Sequence, residues 1–319
     1  MKAIVLAGGY ATRMWPITRH RPKMLLPLGE RTVIGQILAQ LEADERIDDI
    51  YVSVNRRFAE DFVQFLAASG FERPRVSVEE TTSEYEKLGV IGALSQLVER
   101  ERIDDDLLVV AGDNLMGFTM SEFVDAFQER DASTIATYDV GSREKAKSYG
   151  LVRADNGRVT SFQEKPAEPE STLVSVACYA FPRDVVVFDE YLADGNNPDE
   201  IGWFVQWLQA RQPVYTYSFD EVWYDIGSGE SYIDAVSWAL EGESLVAESA
   251  TVEESTLQES VHVMPGATVE NSTLRKSVVF PETEIRNSEL SRTVVDQYAS
   301  VVDLELSETL VGPHSKLSR

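Results

Sequence analysis

The stretch from Ala250 to Leu317 constrains the fold more than any other, because it repeats. Glu254-Ser-Thr-Leu257, Asn271-Ser-Thr-Leu274, Asn287-Ser-Glu-Leu290 and Asp303-Leu-Glu-Leu306 open matching units at steps of 17, 16 and 16 residues. Each is followed by Ser or Thr and two further residues, mostly apolar: Ser260-Val-His, Ser277-Val-Val, Thr293-Val-Val and Thr309-Leu-Val. Ala250-x-Val252, Ala267-x-Val269, Thr283-x-Ile285, Ala299-x-Val301 and Ser315-x-Leu317 keep the same register. A step of this size fits one coil of a three-sided β-helix that buries its Val, Leu and Ile inward and stacks on the next. Independent β-hairpins are the alternative, but they give no reason for a fixed step over four units. Such an element reads as structural or oligomerising rather than catalytic.

Before Leu245 the pattern is different. Lys2 to Ala7 reads as a short buried strand that ends at Gly8-Gly9. Val33, Ile34, Ile37, Leu38 and Leu41 have helical spacing behind Thr32 as N-cap. Strand candidates at Ile50–Val54, Arg75–Val78 and Leu107–Ala111 alternate with helix candidates at Phe58–Leu66, Gly89–Val98 and Ser121–Glu129. The alternation predicts a doubly wound, Rossmann-like α/β sheet, with Leu107–Ala111 covered on both faces. Further strands are expected at Ile135–Val140, Leu151–Arg153, Arg158–Gln163, Val174–Phe181 and Val214–Phe219, with Asn156-Gly157 as a hairpin turn. Helices are expected at Gly202–Leu208 and Tyr232–Leu240. The expected division is 1–243 for a catalytic domain on a mixed sheet and 244–319 for the parallel β-helix.

In such sheets ligands sit beyond the carboxyl ends of the strands, where Gly8-Gly9 and Asp113 fall. After the glycines come Arg13, Arg19, Arg21 and Lys23, with no acidic residue before Glu30. That absence carries weight because the chain has 54 acids against 29 bases and a net charge of −25. A strand feeding a glycine turn and a cationic loop suits phosphates. The same charge makes nucleic acid and anionic membranes poor partners. Only eight of the bases are lysine. Acid excess with little lysine resembles proteins adapted to a high-salt cytoplasm; an acidic surface made for a binding partner is the alternative. One cysteine, Cys178, leaves no internal disulfide and fits a reducing compartment; it is expected in the core. With no apolar run long enough for a membrane span and no signal-peptide h-region, the expectation is a cytoplasmic protein.

Three other stretches join the opening loop. Gly112-Asp113 offers a carboxylate at a strand end, Phe162-Gln-Glu-Lys-Pro166 an acid beside a base, and Trp223-Tyr-Asp-Ile-Gly227 a second carboxylate before a glycine. Two aspartates, two lysines and a glycine loop suit Mg²⁺-assisted chemistry on phosphates. Leu-Ala-Gly-Gly-x-x-Thr-Arg, Arg-Pro-Lys with Leu-Pro after it, Gly-Asp, Glu-Lys-Pro and Trp-x-Asp-Ile-Gly occur here in the order and spacing of sugar-1-phosphate nucleotidylyltransferases. The chain most resembles the glucose-1-phosphate thymidylyl- and uridylyltransferases of the long type, which add a left-handed β-helix. The resemblance spans essentially the whole chain.

The resemblance implies the reaction of an NTP with a sugar 1-phosphate to give an NDP-sugar and pyrophosphate, with Mg²⁺ as cofactor. It implies that Leu6, Ala7, Gly8, Gly9, Ala11, Thr12, Glu80 and Gly89 hold the nucleotide. Arg13 would bind the triphosphate and the departing pyrophosphate, and Lys23 would neutralise the phosphates at the reacting centre. Asp113 and Asp225 would bind Mg²⁺, Lys165 the sugar phosphate, and Glu164 and Gly150 the sugar. The β-helix would hold a homo-oligomer together, so deleting 245–319 should disturb assembly more than chemistry.

Several positions depart from the family pattern. Ala11 replaces the second glycine of Gly-x-Gly-Thr-Arg; either the position has a conformation that alanine tolerates, or phosphate binding is weakened. Leu88-Gly89-Val90-Ile91-Gly92 replaces Leu-Gly-Thr-Ala-Gly and loses a threonine hydroxyl, and Ala177-Cys178 replaces a glycine-containing stretch. dTTP or UTP with glucose 1-phosphate is the first expectation. GTP with mannose 1-phosphate is the rival, a carboxylate at Glu80 suiting guanine as well as uracil or thymine. A non-catalytic NDP-sugar-binding subunit is a further alternative; an additional acyl transfer by the β-helix, with His262 or His314 as base, is disfavoured because the coils are short and few.

Overall fold

The structure is a computed structural model that describes residues 1–79 and 88–319. By compactness the chain forms two units, Met1–Gly8 with Ile37–Trp223, and Gly9–Gln36 with Tyr224–Arg319.

The first unit is built on a nine-stranded sheet. Its strand order is Pro74–Val78, Asp49–Val54, Lys2–Leu6, Leu107–Ala111, Leu173–Phe181, Ser133–Asp139, Val214–Ser218, Arg158–Glu164 and Gly150–Asp155. The first four run parallel, in register from Lys2 against Asp49 and Leu107. Helices Ala59–Ser69 and Gly89–Glu101 supply crossovers. Leu107, Leu108, Val109 and Val110 have no solvent exposure, which is why this strand is apolar without alternation. Leu173–Phe181 runs antiparallel to both of its long neighbours, so the sheet is mixed. Asn156 and Gly157 both adopt positive φ, as a two-residue type I′ hairpin requires. The hairpin brings Gly150 opposite Glu164. Ile91, Leu94, Phe181, Phe188 and Phe204 meet in one core cluster. Cys178 is fully buried, and burial pushes its thiol far up.

In the second unit the repeat forms a left-handed β-helix with three parallel sheets. One runs from Leu245–Val246 to Leu310–Val311, one from Thr251–Glu253 to Lys316–Ser318, and one from Thr256–Gln258 to Glu305–Ser307. Val263, Val279, Val295 and Val311 stack inside, as do Val269, Ile285 and Val301. The serines of the repeat tie coils together: Ser272 N–H donates to Ser255 Oγ at 3.0 Å, Ser288 N–H to Ser272 Oγ at 3.0 Å, and Leu304 N–H to Ser288 Oγ at 3.1 Å. The helix Gly229–Ala239 lies in the same unit, where Tyr232 Oη donates to Pro27 O at 2.7 Å and Arg292 bonds Asp234 at 2.9 Å.

Candidate active site

Parallel pairing places Leu6, Val54, Val78 and Ala111 at one carboxyl edge of the sheet, and the residues just past each strand gather there. Ala7 N–H donates to Ser53 O at 2.7 Å and Gly112 N–H to Leu6 O at 2.8 Å. Asn55 Nδ2 holds the Gly8 carbonyl at 2.8 Å, while its Oδ1 caps Phe58 N. Glu79 reaches over Gly8 so closely that a Cβ there would collide with its carboxylate. Burial pushes the Glu79 carboxyl up, and Ser53 Oγ at 3.5 Å opposes this weakly. Sequence reasoning named the neighbouring Glu80, which lies outside the described residues. Glu79 was findable only as the acid next after a strand at this edge.

Asp113 lies at the same edge and accepts from Asn114 Nδ2 at 3.0 Å. Asn114 Oδ1 in turn accepts from Trp223 Nε1 at 2.7 Å. The Trp223 ring lies edge-on to Tyr149, with centroids 5.0 Å apart, immediately before Gly150. One indole therefore joins the edge that carries Asp113 to the hairpin that carries Gly150 and Glu164.

Two glycines make the slot for Glu164. A Cβ on Gly202 would occupy the Glu164 carboxylate, and one on Gly150 would strike the Phe162 ring. Burial in this slot pushes the Glu164 carboxyl up to about 7; Lys165 pulls it down and Glu200 adds to the rise. Near neutral pH it can therefore either donate or accept a hydrogen bond. Lys165 sits in left-handed backbone at φ 44°, its N–H bonded to Tyr149 O at 3.2 Å and its ammonium paired with Glu200. Neither Gly202 nor Glu200 was expected from sequence, since a slot wall has no local signature. Gly89 also needs to be glycine: it has φ +71°, and a Cβ would strike the Pro198 backbone. Where the threonine is lost, Ile91 is fully buried and Val90 packs on the same core.

In the second unit, Ala11 has φ 49° and ψ 43°, left-handed backbone that favours glycine. Its carbonyl accepts Thr18 Oγ1 at 2.7 Å and Met14 N at 3.1 Å, which fixes the turn Thr12–Met14. Among the described residues, none comes within 4 Å of a Cβ built on Gly9. The Arg13 guanidinium and Asp225 carboxylate come together at Gly227: a Cβ there would lie 3.6 Å from Arg13 Nη2 and 3.7 Å from Asp225 Oδ1. Lys23 is only 9% exposed, an unusual burial for lysine. His262 is buried in the β-helix, which lowers its basicity.

Among the described residues no three or more His, Cys, Asp or Glu side chains gather as a metal cage. Asp113 in the first unit and Asp225 in the second are each a hard oxygen ligand of the kind that Mg²⁺ takes together with substrate phosphates. No helix of the described residues is long and apolar enough to cross a membrane.

Residues 2–242 match a family described as nucleotidyl transferase, and residues 236–311 one described as the GlmU-like C-terminal hexapeptide. A UTP–glucose-1-phosphate uridylyltransferase of Synechocystis sp. is 31% identical over 258 residues, 76% of this chain and 64% of that protein. A Sulfolobus acidocaldarius protein described as a candidate mannose-1-phosphate guanyltransferase is 28% identical over 73% of this chain and 61% of its own length. The chain thus spans less than two thirds of both relatives. A Bacillus anthracis structure, described as a candidate glucose-1-phosphate thymidylyltransferase with sucrose, superposes with a TM-score of 0.65. It covers 75% of this chain and 95% of that one at 24% identity, a likeness of fold.

Proposed function

The chain belongs to the nucleotidyl transferase family, and from that premise we propose that it joins an NTP to a hexose 1-phosphate with release of pyrophosphate. Residues 1–243 carry the chemistry on this reading. A phosphate oxygen of the sugar phosphate attacks the α-phosphorus of the NTP, and the bond to the β-phosphate oxygen breaks. The two reactants are anions, and unit charges ~4 Å apart repel by about 4 kcal/mol at an effective dielectric near 20. Cations offset that repulsion, so positioning and electrostatics suffice without a protein nucleophile.

The observation that carries the reading is the cationic loop. Lys23 is one of only eight lysines and is buried, and Arg13 stands with Asp225 at Gly227. Arg13 binds the β- and γ-phosphates and stabilises departing pyrophosphate, and Lys23 neutralises the phosphates at the reacting centre. Gly8 and Gly9 let backbone approach the nucleotide, with Leu6, Ala7, Ala11, Thr12 and Gly89 around it. Lys165 leaves Glu200 to take the sugar phosphate, and Glu164 and Gly150 meet the sugar. Asp113 and Asp225 would hold Mg²⁺, which supplies charge neutralisation on the phosphates when bound.

UTP or dTTP with glucose 1-phosphate is the favoured pair, on the likeness to the Synechocystis uridylyltransferase. GTP with mannose 1-phosphate is the second reading, favoured by the Sulfolobus relative and by the Glu79 carboxylate at the glycine turn, which could accept N–H groups of a base. A matrix of nucleotides against sugar 1-phosphates, read as pyrophosphate release with Mg²⁺, tests both. Release with one dominant pair is the expected result. None with any pair would overturn catalysis in favour of an NDP-sugar-binding subunit. The β-helix is the proposed homo-oligomer contact.

A further inference from the structure

Met264, Phe280, Asp296 and Gly312 are equivalent positions of successive coils, each one residue past a stacked valine. The backbone repeats along this row: Met264, Phe280 and Asp296 each donate N–H to the valine carbonyl of the next coil, at 2.9, 2.9 and 3.0 Å. The neighbouring valine row repeats its side chain as well. This row does not. Three of the four side-chain positions meet a segment outside the repeat.

Against the row lies the loop Gly9–Gln36. The Arg21 guanidinium stands over the Phe280 ring at 4.8 Å and donates to Asp296 Oδ1 at 2.8 Å. Asp296 has no solvent exposure, and among the described residues its Oδ2 has no hydrogen-bond partner. Burial raises its carboxyl, and Arg21, Gln297 N–H and His314 act to keep it ionised. At Gly312 the Pro16 ring packs so closely that a Cβ would lie 2.9 Å from Pro16 Cβ. Phenylalanine, aspartate and glycine thus each match one feature of the loop.

These anchors lie between the two cations of the proposed site. Pro16 lies three residues after Arg13, and Arg21 lies two before Lys23, joined to it by Pro22 with its φ fixed at −67°. We propose that this row is a platform that positions the phosphate-binding loop, with Asp296 and Arg21 as positioning residues for Lys23. The coils are then part of the catalytic apparatus, beyond the assembly role that their repeat alone implies. The inference rests on the function proposed above and deepens it.

The test uses the 319-residue chain with Asp296→Asn, Arg21→Ala, Arg21→Lys and Phe280→Leu. Binding of Mg²⁺-tripolyphosphate, a probe that needs no base, is measured by titration calorimetry well below each variant's Tm. KM values for NTP and sugar 1-phosphate are measured beside it. Asp296→Asn and Arg21→Ala should weaken tripolyphosphate binding and raise the NTP KM about tenfold, leaving the sugar 1-phosphate KM within twofold. Arg21→Lys, which keeps charge but loses the fork, should fall between. Should Asp296→Asn fail to fold, Phe280→Leu keeps the core apolar and should give a smaller shift in the same direction. Unchanged tripolyphosphate binding in the folded variants, or equal shifts in both KM values, would overturn positioning. Failure of the unaltered protein to bind tripolyphosphate would instead overturn the function on which it rests.

Discussion

Left-handed backbone ends helices at Arg102 and Asp131 and turns the hairpin at Asn156, and two further settings, compared, separate architecture from function. In the β-helix it marks corners: Glu254, Asn271, Asn287 and Asp303 form one series, Glu259, Lys276, Arg292 and Glu308 a second, and Gly266, Glu282, Tyr298 and His314 a third. Each corner has an equivalent on the next coil, so the conformation is a property of the turn. Ala11 and Lys165 have no such equivalents. They lie inside the two motifs proposed to hold triphosphate and sugar phosphate. Isolated strain persists only where surroundings over-determine it, and such places are commonly functional. The repeated corners should therefore govern stability, and the isolated residues and their neighbours should govern chemistry.

The largest test removes a cation from the isolated setting. Lys23→Ala should lower turnover by roughly 10²–10³, the range for losing one preorganised charge donor, with Tm close to that of the parent. Asp113→Ala should likewise lower turnover by orders of magnitude with the fold intact. Steady-state rates beside thermal melts decide both, and near-normal rates from either would remove that residue from its role.

Glu164 gives a pH test. Its folded pKa of about 7 lies above its ordinary value of 4.5. Between these values the folded state holds a proton that the unfolded chain has lost. The group's contribution therefore falls as pH rises from about 4.5 to 7, and then levels off. Because the side chain is partly solvated, the slope should be below the ~1.4 kcal/mol per pH unit of a full proton. Glu164→Gln should gain Tm relative to the parent between pH 5 and pH 7.5. A difference constant across that window would place the carboxyl at its ordinary pKa.

A corner should answer in stability alone. Asn287→Val puts a β-branched residue at φ 48° and removes the ladder in which Asn271 Nδ2 donates to Asn287 Oδ1 at 2.8 Å and Asn287 Nδ2 to Asp303 Oδ1 at 2.9 Å. A loss of about 1–2 kcal/mol is expected, seen as a Tm lower by a few degrees with kcat and KM unchanged. A change in either KM would blur the line between corner and site.

Legibility in the sequence divides along the same line. A periodic backbone imposes a periodic sequence, so the coils and their stacked apolar residues could be read from the step. Leu107–Ala111 was readable because burial on both faces removes polar residues, and Asn156-Gly157 because its turn demands positive φ. Glu79 over Gly8, and Gly202 as the wall behind Glu164, come from contacts between segments far apart in the chain. The row Phe280, Asp296 and Gly312 was hidden for the opposite reason. It broke a repeat whose period drew attention to the positions that kept it.

The smallest effect is the most discriminating. Ala11→Gly removes the Cβ that makes φ 49° unfavourable, a relief of about 1–2 kcal/mol, but glycine also adds about 0.4–1 kcal/mol of unfolded-state entropy. The net gain should lie between about 0 and 1.6 kcal/mol, a Tm higher by up to a few degrees. Thr18 Oγ1 and Met14 N still hold the residue-11 carbonyl, so the turn should survive and the NTP KM should stay within twofold. A stabilised variant with unchanged KM would mean that the hydrogen bonds define the loop and alanine only strains it. A NTP KM raised fivefold or more would mean that the strained alanine itself restricts the loop to its binding conformation, the behaviour that sets an isolated left-handed residue apart from a corner.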